Sequence, residues 1–404
     1  MTTAVQVQYR RGTGSQVAAF TGAQGELVID TTNNRVVVQD GATAGGWPAA
    51  KLSEVVPSVN GLTGTITIGS SDGNVVAASG STITLGGPGG MVNKFRNGTM
   101  DVWQRGTGPI TIATSGGYAA DGWIVVPAGT SVTAAQAGGR LLTKNSLQVT
   151  GAASVTDVII KQRVESLIAA AFCSQTVTVQ AQVYNNTGGS ITPLLTVKHA
   201  GSQDVWTSPA TDVNAVSLQP CANNGWTQLG YTFSANANAY NGLEIAFDFG
   251  NNFGANTKTL QITECDIRAT PGASAGLNAN PPPPELRPIA TELGFCQRYF
   301  IAWNSTTANS PYASGFVDTS TSALFGLLFP VSMRAAPSFS FSAGNTFQVR
   351  PAGGSGITGS AISGSLATAQ TAQIALTISG ATATSGLLRD AGSANSYIQA
   401  SAEL

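Results

Sequence analysis

Short runs of alternating apolar and polar residues, each closed by glycine, asparagine or serine, recur along most of the chain. That period of two is the mark of half-buried β-strands. Glu26-Leu27-Val28-Ile29-Asp30 and Arg35-Val36-Val37-Val38-Gln39 form such a pair, joined by Thr31-Thr32-Asn33-Asn34 and closed by Asp40-Gly41, which predicts a hairpin. TITIG (65–69) and TITLG (82–86) nearly repeat, each a glycine-bounded strand too short to bury its apolar face within one chain. Three copies winding into a prism would bury it. Gly86-Gly87-Pro88-Gly89-Gly90 reads as a linker. Further strands are predicted at 108–112, 123–126, 175–183, 194–198, 228–233, 243–249 and 259–267, spaced as in a sandwich or jelly roll.

Two stretches depart from this rhythm. VTDVIIKQRVESLIAAAFC (155–173) places Val158, Ile159, Val164, Leu167 and Ile168 near one helical face with Asp157 as its cap, predicting a helix. Asn278 to Pro284, NANPPPP, predicts a stiff extended connector leading into ELRPIATELGFCQRYFIAW (285–303), a short helix running into a strand. Strands at 324–331, 338–342, 373–378 and 397–400 then predict a second sandwich. The expected fold class is all-β: a small N-terminal module at 1–55, a short trimeric β shaft and Gly-rich linker at 56–90, a jelly-roll domain at 91–275, and a C-terminal β-sandwich at 285–404.

Composition narrows the function. Only 10% of the residues are charged, and 19 Lys+Arg against 20 Asp+Glu leave a net charge of −1. No basic excess exists to neutralise phosphates, which argues against nucleic acid as partner. The apolar share of 42% is too high for a disordered chain. The first residues, MTTAVQVQYRRG, lack the apolar core of a signal peptide, and no apolar run is long enough to span a bilayer. Cys173, Cys221, Cys265 and Cys296 are widely separated without a CxxC pair, so neither a metal nor a cofactor is expected and buried free thiols are.

Catalytic readings are thin. His199, the single histidine, reads as a surface or strand-end residue. Glu264 and Asp266, two apart on a predicted strand, would share a face about 7 Å apart, within the range glycoside hydrolysis needs but equally the pattern of a solvated strand edge. No rung-like repeat of a depolymerising β-helix occurs. Aromatic residues suited to stacking on sugars are Trp206, Tyr240, Trp303 and Tyr312; Trp103, Trp123 and Trp226 read as core.

The opening TAVQVQYRRGTGSQVAAFTGAQGELVIDTTNNRVVVQDGATAGGWPAAKL (3–52) resembles the N-terminal domain of the phage major tropism determinant, carried by Arg10-Arg11-Gly12-Thr13, the hairpin through Val38, and Asp40-Gly41-Ala42-Thr43 with Gly45-Gly46-Trp47-Pro48. VNGLTGTITIG (59–69) is similar to a fibre-shaft phrase. NKFRNGTMDVWQRGTGPIT with Tyr118-Ala119-Ala120-Asp121-Gly122-Trp123 resembles the start of a tail-fibre jelly roll. ELRPIATELGFCQRYF (285–300), Phe329-Pro330-Val331-Ser332-Met333-Arg334-Ala335-Ala336-Pro337 and the ending Ala400-Ser401-Ala402-Glu403-Leu404 resemble the C-terminal part of such fibres. No lectin-like variable domain follows. The resemblance implies a β-prism-type module at 1–55 and a carbohydrate-binding-like jelly roll at 91–275, in a homotrimeric virion protein, made in the host cytoplasm, that docks to other virion proteins through its first module and adheres without catalysis to a host glycan or receptor. Arg10 and Arg11 are then candidates for docking to the virion. A head or neck fibre, and a polysaccharide-degrading tail spike, are the alternatives.

Overall fold

The computed structural model describes residues 9–51, the strand backbones 76–79 and 82–85, and residues 91–392 and 394–404. The chain divides into two compact units, Met1–Pro88 and Gly89–Leu404. It is an all-β protein, and among the described residues the helices are short.

In the first unit, strands β1 (Arg10–Gly12), β2 (Leu27–Asp30), β3 (Arg35–Val38) and β4 (Trp47–Pro48) form one sheet in that order, β1 parallel to β2 and the rest antiparallel. The predicted hairpin has Asp30 paired with Arg35 across its four-residue turn. Helix α1 (Gly14–Ala18) begins at Thr13, whose hydroxyl accepts from the Gln16 amide while the Gln16 side chain accepts from the Thr13 amide. Val17, Val28 and Val37 form the buried core, with Phe20 against them. Strands β5 (Val76–Ser79) and β6 (Thr82–Leu85) pair with each other. The TITIG stretch and the Gly86–Gly90 linker lie outside the described residues.

The second unit holds two sandwiches. In the first, the strands are β7 Ile110–Ile112, β8 Gly117–Tyr118, β9 Ile124–Ala128, β10 Val132–Gly138, β11 Asn145–Thr150, β12 Asp157–Val164, β13 Thr176–Asn186, β14 Leu194–His199, β15 Ala210–Ser217, β16 Gly225–Ser234, β17 Leu243–Asp248, β18 Thr259–Ala269 and β19 Gly276–Leu277. One sheet runs β19-β16-β13-β18-β11-β10-β7, the other β15-β14-β17-β12-β9-β8. Their inner faces meet in a core that includes Val125, Val149, Ile160, Val179, Leu195, Phe247, Ile262 and the fully buried Trp123. All pairings within both sheets are antiparallel.

The helix expected at 155–173 is not there. Residues 157–164 are strand β12, and only the short α2 (Ser166–Ala169) and a 3₁₀ turn at 170–172 follow. Val158, Ile160, Gln162 and Val164 alternate inward with Ile159, Lys161 and Arg163 less buried, so the period is two. Val158, Ile159 and Ile160 are β-branched and favour a pleated surface, and neighbours β9 and β17 supply hydrogen bonds on both edges. The apolar spacing was compatible with either period; tertiary pairing selected the strand.

The proline segment is not a free connector. The Asn278 amide donates to the Gly230 carbonyl at 3.0 Å, the Gln180 side chain donates to the Pro282 carbonyl, and the Glu285 amide donates to Asp266 at 2.8 Å. It lies across β16, β13 and β18. Gly230 makes room for it: a Cβ there would meet the Asn278 carbonyl oxygen at 2.3 Å.

Helix α3 (Ile289–Gln297) runs into β20 (Phe300–Asn304), as the sequence predicts. The strands that follow are β21 Pro311–Thr319, β22 Ser322–Leu328, β23 Ser338–Phe341, β24 Phe347–Pro351, β25 Ile357–Thr358, β26 Ala361–Ser365, β27 Thr371–Thr377, β28 Thr384–Asp390 and β29 Tyr397–Ser401. They form a seven-stranded sheet, β25-β24-β28-β21-β22-β27-β26, and a three-stranded one, β20-β29-β23, around Val317, Phe325, Phe347, Ile374, Leu388 and Ile398. Polar contacts tie the two sandwiches together. Glu165 accepts from Arg298 Nε at 3.0 Å, Arg298 Nη2 at 2.7 Å and the Tyr299 hydroxyl at 2.6 Å. Glu403 bridges Arg96 and Arg105, each at 3.1 Å.

Candidate functional site

The aromatic residues singled out by sequence do not gather. Trp206 lies over the Arg163 guanidinium at 4.8 Å, and its buried indole N–H has no hydrogen-bond partner. Tyr240 sits nearby on a 3₁₀ turn, 53% exposed. Trp303 packs against Phe329 in the second sandwich, ring centroids 6.0 Å apart. Tyr312 packs on Phe347 and donates its hydroxyl to the Ser396 carbonyl at 2.7 Å. In the first unit Arg10 pairs with Glu26 at 2.9 Å and lies over Phe20, while Arg11 is exposed on the same strand.

Candidate acid–base groups are engaged elsewhere. A bulge opposite Ala181 shifts β18 by one residue: Gln180 faces Asp266 while Gln182 faces Thr263. Glu264, at φ 52° within that bulge, is buried 3.5 Å from Arg140. Burial pushes its pKa up and the Arg140 charge pulls it back. Asp266 is fully buried and paired with Arg268. The two are therefore not the solvated strand edge that the sequence spacing suggested. His199 does end strand β14, but it is buried, with Nδ1 2.8 Å from Asp212. The Gly272-Ala273-Ser274-Ala275-Gly276 stretch matches GxSxG, yet it lies in the turn from β18 into β19 with no helix after it, so it is no nucleophile elbow. All four cysteines are free thiols, and burial pushes those of Cys221, Cys265 and Cys296 upward.

A different constellation emerges on the outer face of the seven-stranded sheet of the first sandwich. On β13, Val177, Val179, Ala181 and Val183 point into the core, so Thr178, Gln180, Gln182 and Tyr184 point out. Strand register extends this into rows. Trp226 on β16 faces Tyr184 on β13, Tyr184 faces Gln261 on β18, and Gln261 faces Gln148 on β11. The two rings are 5.5 Å apart and tilted by 55°. A second row reads Asn186, Thr259, Thr150, Thr133 and Thr111. Trp226 is therefore not in the core, against the sequence expectation. Its strand alternates inward through Leu229 and Phe233, which leaves 226 facing out.

These rows carry amides, hydroxyls and aromatic rings and no charge. Gln261 donates to Gln148 at 3.3 Å and accepts from Ser146 at 3.2 Å, and Gln228 donates to Gln180 at 3.2 Å. The outer face of the opposite sheet differs: Lys161 and Arg163 pair with Glu244 at 3.0 and 2.8 Å. Burial raises the Glu244 pKa, but those two cations outweigh it and hold it below the usual range.

Residues 7–43 match the family described as Major tropism determinant N-terminal domain. Over 45 residues the chain is 60% identical to the tail fiber receptor-binding protein of Bordetella phage BPP-1. That alignment spans 11% of this chain and 12% of the relative. Similar solved structures include the enzymatically active domain of tailspike protein 4 of bacteriophage CBA120, at 12% identity over 44% of this chain and 22% of that one, with a TM-score of 0.32. Another is the C-terminal family 22 carbohydrate binding module of Clostridium thermocellum Xyn10B, at 11% identity over 46% of this chain and 99% of that one, with a TM-score of 0.32.

Proposed function

We propose that the chain is the subunit of a homotrimeric phage fibre, docked to the virion through its N-terminal module and adhering to the bacterial host surface, through glycans, without catalysis. The match of residues 7–43 to the tropism determinant family carries this reading. The relative that shares the segment is named a receptor-binding tail fibre protein. Trimer formation is supported by the module itself. Its core is three buried valines, small for an independent fold. Leu27, Val38 and Trp47 face one another across β2, β3 and β4 while 36%, 42% and 66% exposed, an apolar row suited to burial against other copies. Arg10 and Arg11 are the proposed contacts to the virion.

Adhesion without hydrolysis is supported by the separate engagement of Glu264, Asp266 and His199 with Arg140, Arg268 and Asp212. Tyr240 offers an exposed ring as a peripheral sugar contact, whereas Trp206, Trp303 and Tyr312 carry packing duties first. Three identical weak sites on one trimer would raise avidity by roughly 10²–10⁴ over one site.

Light scattering, cell binding and a reducing-end assay test the proposal together. The expected results are a mass three times the 41.0 kDa chain, adhesion to host cells, and no release of sugar ends from host polysaccharide. A monomeric mass removes the trimer. Accumulating reducing ends remove the non-catalytic reading in favour of a degrading spike. Labelling the protein on particles in electron micrographs separates tail from neck or head.

A further inference from the structure

The uncharged rows on the seven-stranded sheet include a polar group with an unmet need. Gln182, 5% exposed and facing outward between the inward Ala181 and Val183, leaves its Oε1 without a hydrogen-bond partner. A buried acceptor left unpaired is costly unless a ligand donor meets it. Beside it, Gln228 lies opposite on β16, and the Trp226–Tyr184 pair is two residues along. With strands about 4.8 Å apart, the row from Trp226 to Gln148 crosses three strand spacings, or roughly 14 Å. That suits an oligosaccharide more than a single small molecule.

We propose that the part of this face beyond the proline segment, which covers the Gly230–Gln180–Asp266 row, is the glycan-binding surface and that its ligand is an uncharged oligosaccharide lying along the Trp226–Tyr184–Gln261–Gln148 row across β16, β13, β18 and β11. The proposal rests on the adhesion reading above and names its ligand class and residues. A pyranose ring presents an apolar C–H face, which stacks on the Trp226 and Tyr184 rings, and a rim of hydroxyls. Those hydroxyls exchange hydrogen bonds with Gln261 and Gln148, and a turn of the shielded Gln182 side chain brings its Oε1 within their reach. Thr259 and Thr150, two positions further along the same strands, extend the hydrogen-bonding edge. Arg140 and Arg268, which flank the face, are already paired with Glu264 and Asp266, while Lys258 stands at its Thr259 end with Nζ donating to the Thr187 carbonyl. A uronate or sialate carboxylate over the Trp226–Gln148 row would therefore be desolvated with no cation in the row itself to meet it. Neutral sugars suffer no such loss.

The test uses the full chain on an array printed with neutral hexose, deoxyhexose and N-acetylhexosamine oligosaccharides beside uronate- and sialate-containing ones, with binding to host cells measured in parallel. Binding to neutral oligosaccharides is expected. Trp226→Ala should weaken it at least tenfold and Gln261→Ala several-fold. Trp226→Phe should keep most of it, and Lys161→Gln on the opposite sheet should change nothing. Melting temperatures of each variant show that it is folded. Should Trp226→Ala weaken the fold, Gln261→Ala and Gln148→Ala decide the matter. Three results overturn the proposal: binding confined to acidic sugars, unchanged affinity in folded Trp226→Ala and Gln261→Ala, or loss of oligomer mass in Trp226→Ala, which would make the face a contact between copies. Unchanged host-cell adhesion by these variants removes the face and leaves adhesion standing. A wild-type chain that binds neither cells nor sugars removes both.

Discussion

Glu165 and Arg298 join the two sandwiches of the second unit, and removing either partner should cost unequally. The Glu165 side chain is 3% exposed and that of Arg298 32% exposed. Glu165→Ala strands the Tyr299 hydroxyl, which is itself buried, for about 1–3 kcal/mol. Arg298, a third exposed, turns to water and adds at most about 1 kcal/mol. The expected loss is about 1–4 kcal/mol. Arg298→Ala instead leaves a buried carboxylate with the Tyr299 hydroxyl and only the non-contacting Arg334 charge, which costs about 3–5 kcal/mol. The more exposed partner is the more expensive one to remove.

The pH dependence separates this from a generic packing loss. Burial pushes the Glu165 pKa up, but the bonds from Arg298 and Tyr299 pull it below the ordinary value of 4.5. In the native chain the pair therefore contributes stability above pH 4.5 that is lost as pH falls through the depressed value. Without Arg298, burial is opposed only by the Tyr299 hydroxyl and the Arg334 charge, and the pKa rises. The deficit of Arg298→Ala should then shrink as pH falls through the raised value toward 4.5, where the variant's carboxyl binds its proton, and further below 4.5 as the native pair is lost. Guanidinium unfolding of wild type, both single variants and the double variant at pH 4 and pH 7.5 measures this. The double variant should lose less than the two singles together. An Arg298→Ala loss equal to or below that of Glu165→Ala at pH 7.5, or one independent of pH, would refute the reasoning.

Three further outcomes follow from the fold. Gly230→Val places side-chain atoms where the Asn278 carbonyl and Pro281 lie, at 2.3 and 3.2 Å from a Cβ; a loss of about 1–3 kcal/mol and faster proteolysis within 278–284 are expected. Asp157 is pushed up to about 6 by burial and then by its hydrogen bond with Asp248. Its favourable contribution is thus present below pH 4 and lost as pH rises through 6, so Asp157→Asn should raise the melting temperature at pH 8 and leave it nearly unchanged at pH 4. Thr13→Ala removes the cap of α1 and should destabilise the N-terminal module by about 1 kcal/mol, seen as faster hydrogen exchange at Gln16 and Val17.

Where the chain's own neighbours decide the structure, the sequence was readable. The 27–38 hairpin, α3 with the strand after it, and the all-β class rest on local alternation and turn residues, and the structure has them. The error at 157–164 arose because consecutive β-branched residues satisfy two periods at once, and only pairing with β9 and β17 chooses. The outer-face rows were illegible for another reason. Trp226 and Tyr184 are 42 positions apart, and Gln261 and Gln148 further still. Each looks like an ordinary outward residue of its strand until four strands are set in register. The bulge at Glu264 changed the phase of β18, so the spacing of Glu264 and Asp266 misstated their surroundings.

The bridge made by Glu403 has a consequence for synthesis. Arg96 and Arg105 belong to the opening of the first sandwich, yet their shared carboxylate lies some three hundred residues downstream and reaches them only when β29 has been added. While the ribosome is still making the second sandwich, the first must keep two cations that it will later bury close to water. A chain halted before 403 would hold Arg96 without its carboxylate and leave Arg105 with Asp121 alone. Completion of the last strand therefore closes the first domain as well as the second, and a shortened product would carry its defect into the region that should be the most self-sufficient part of the molecule.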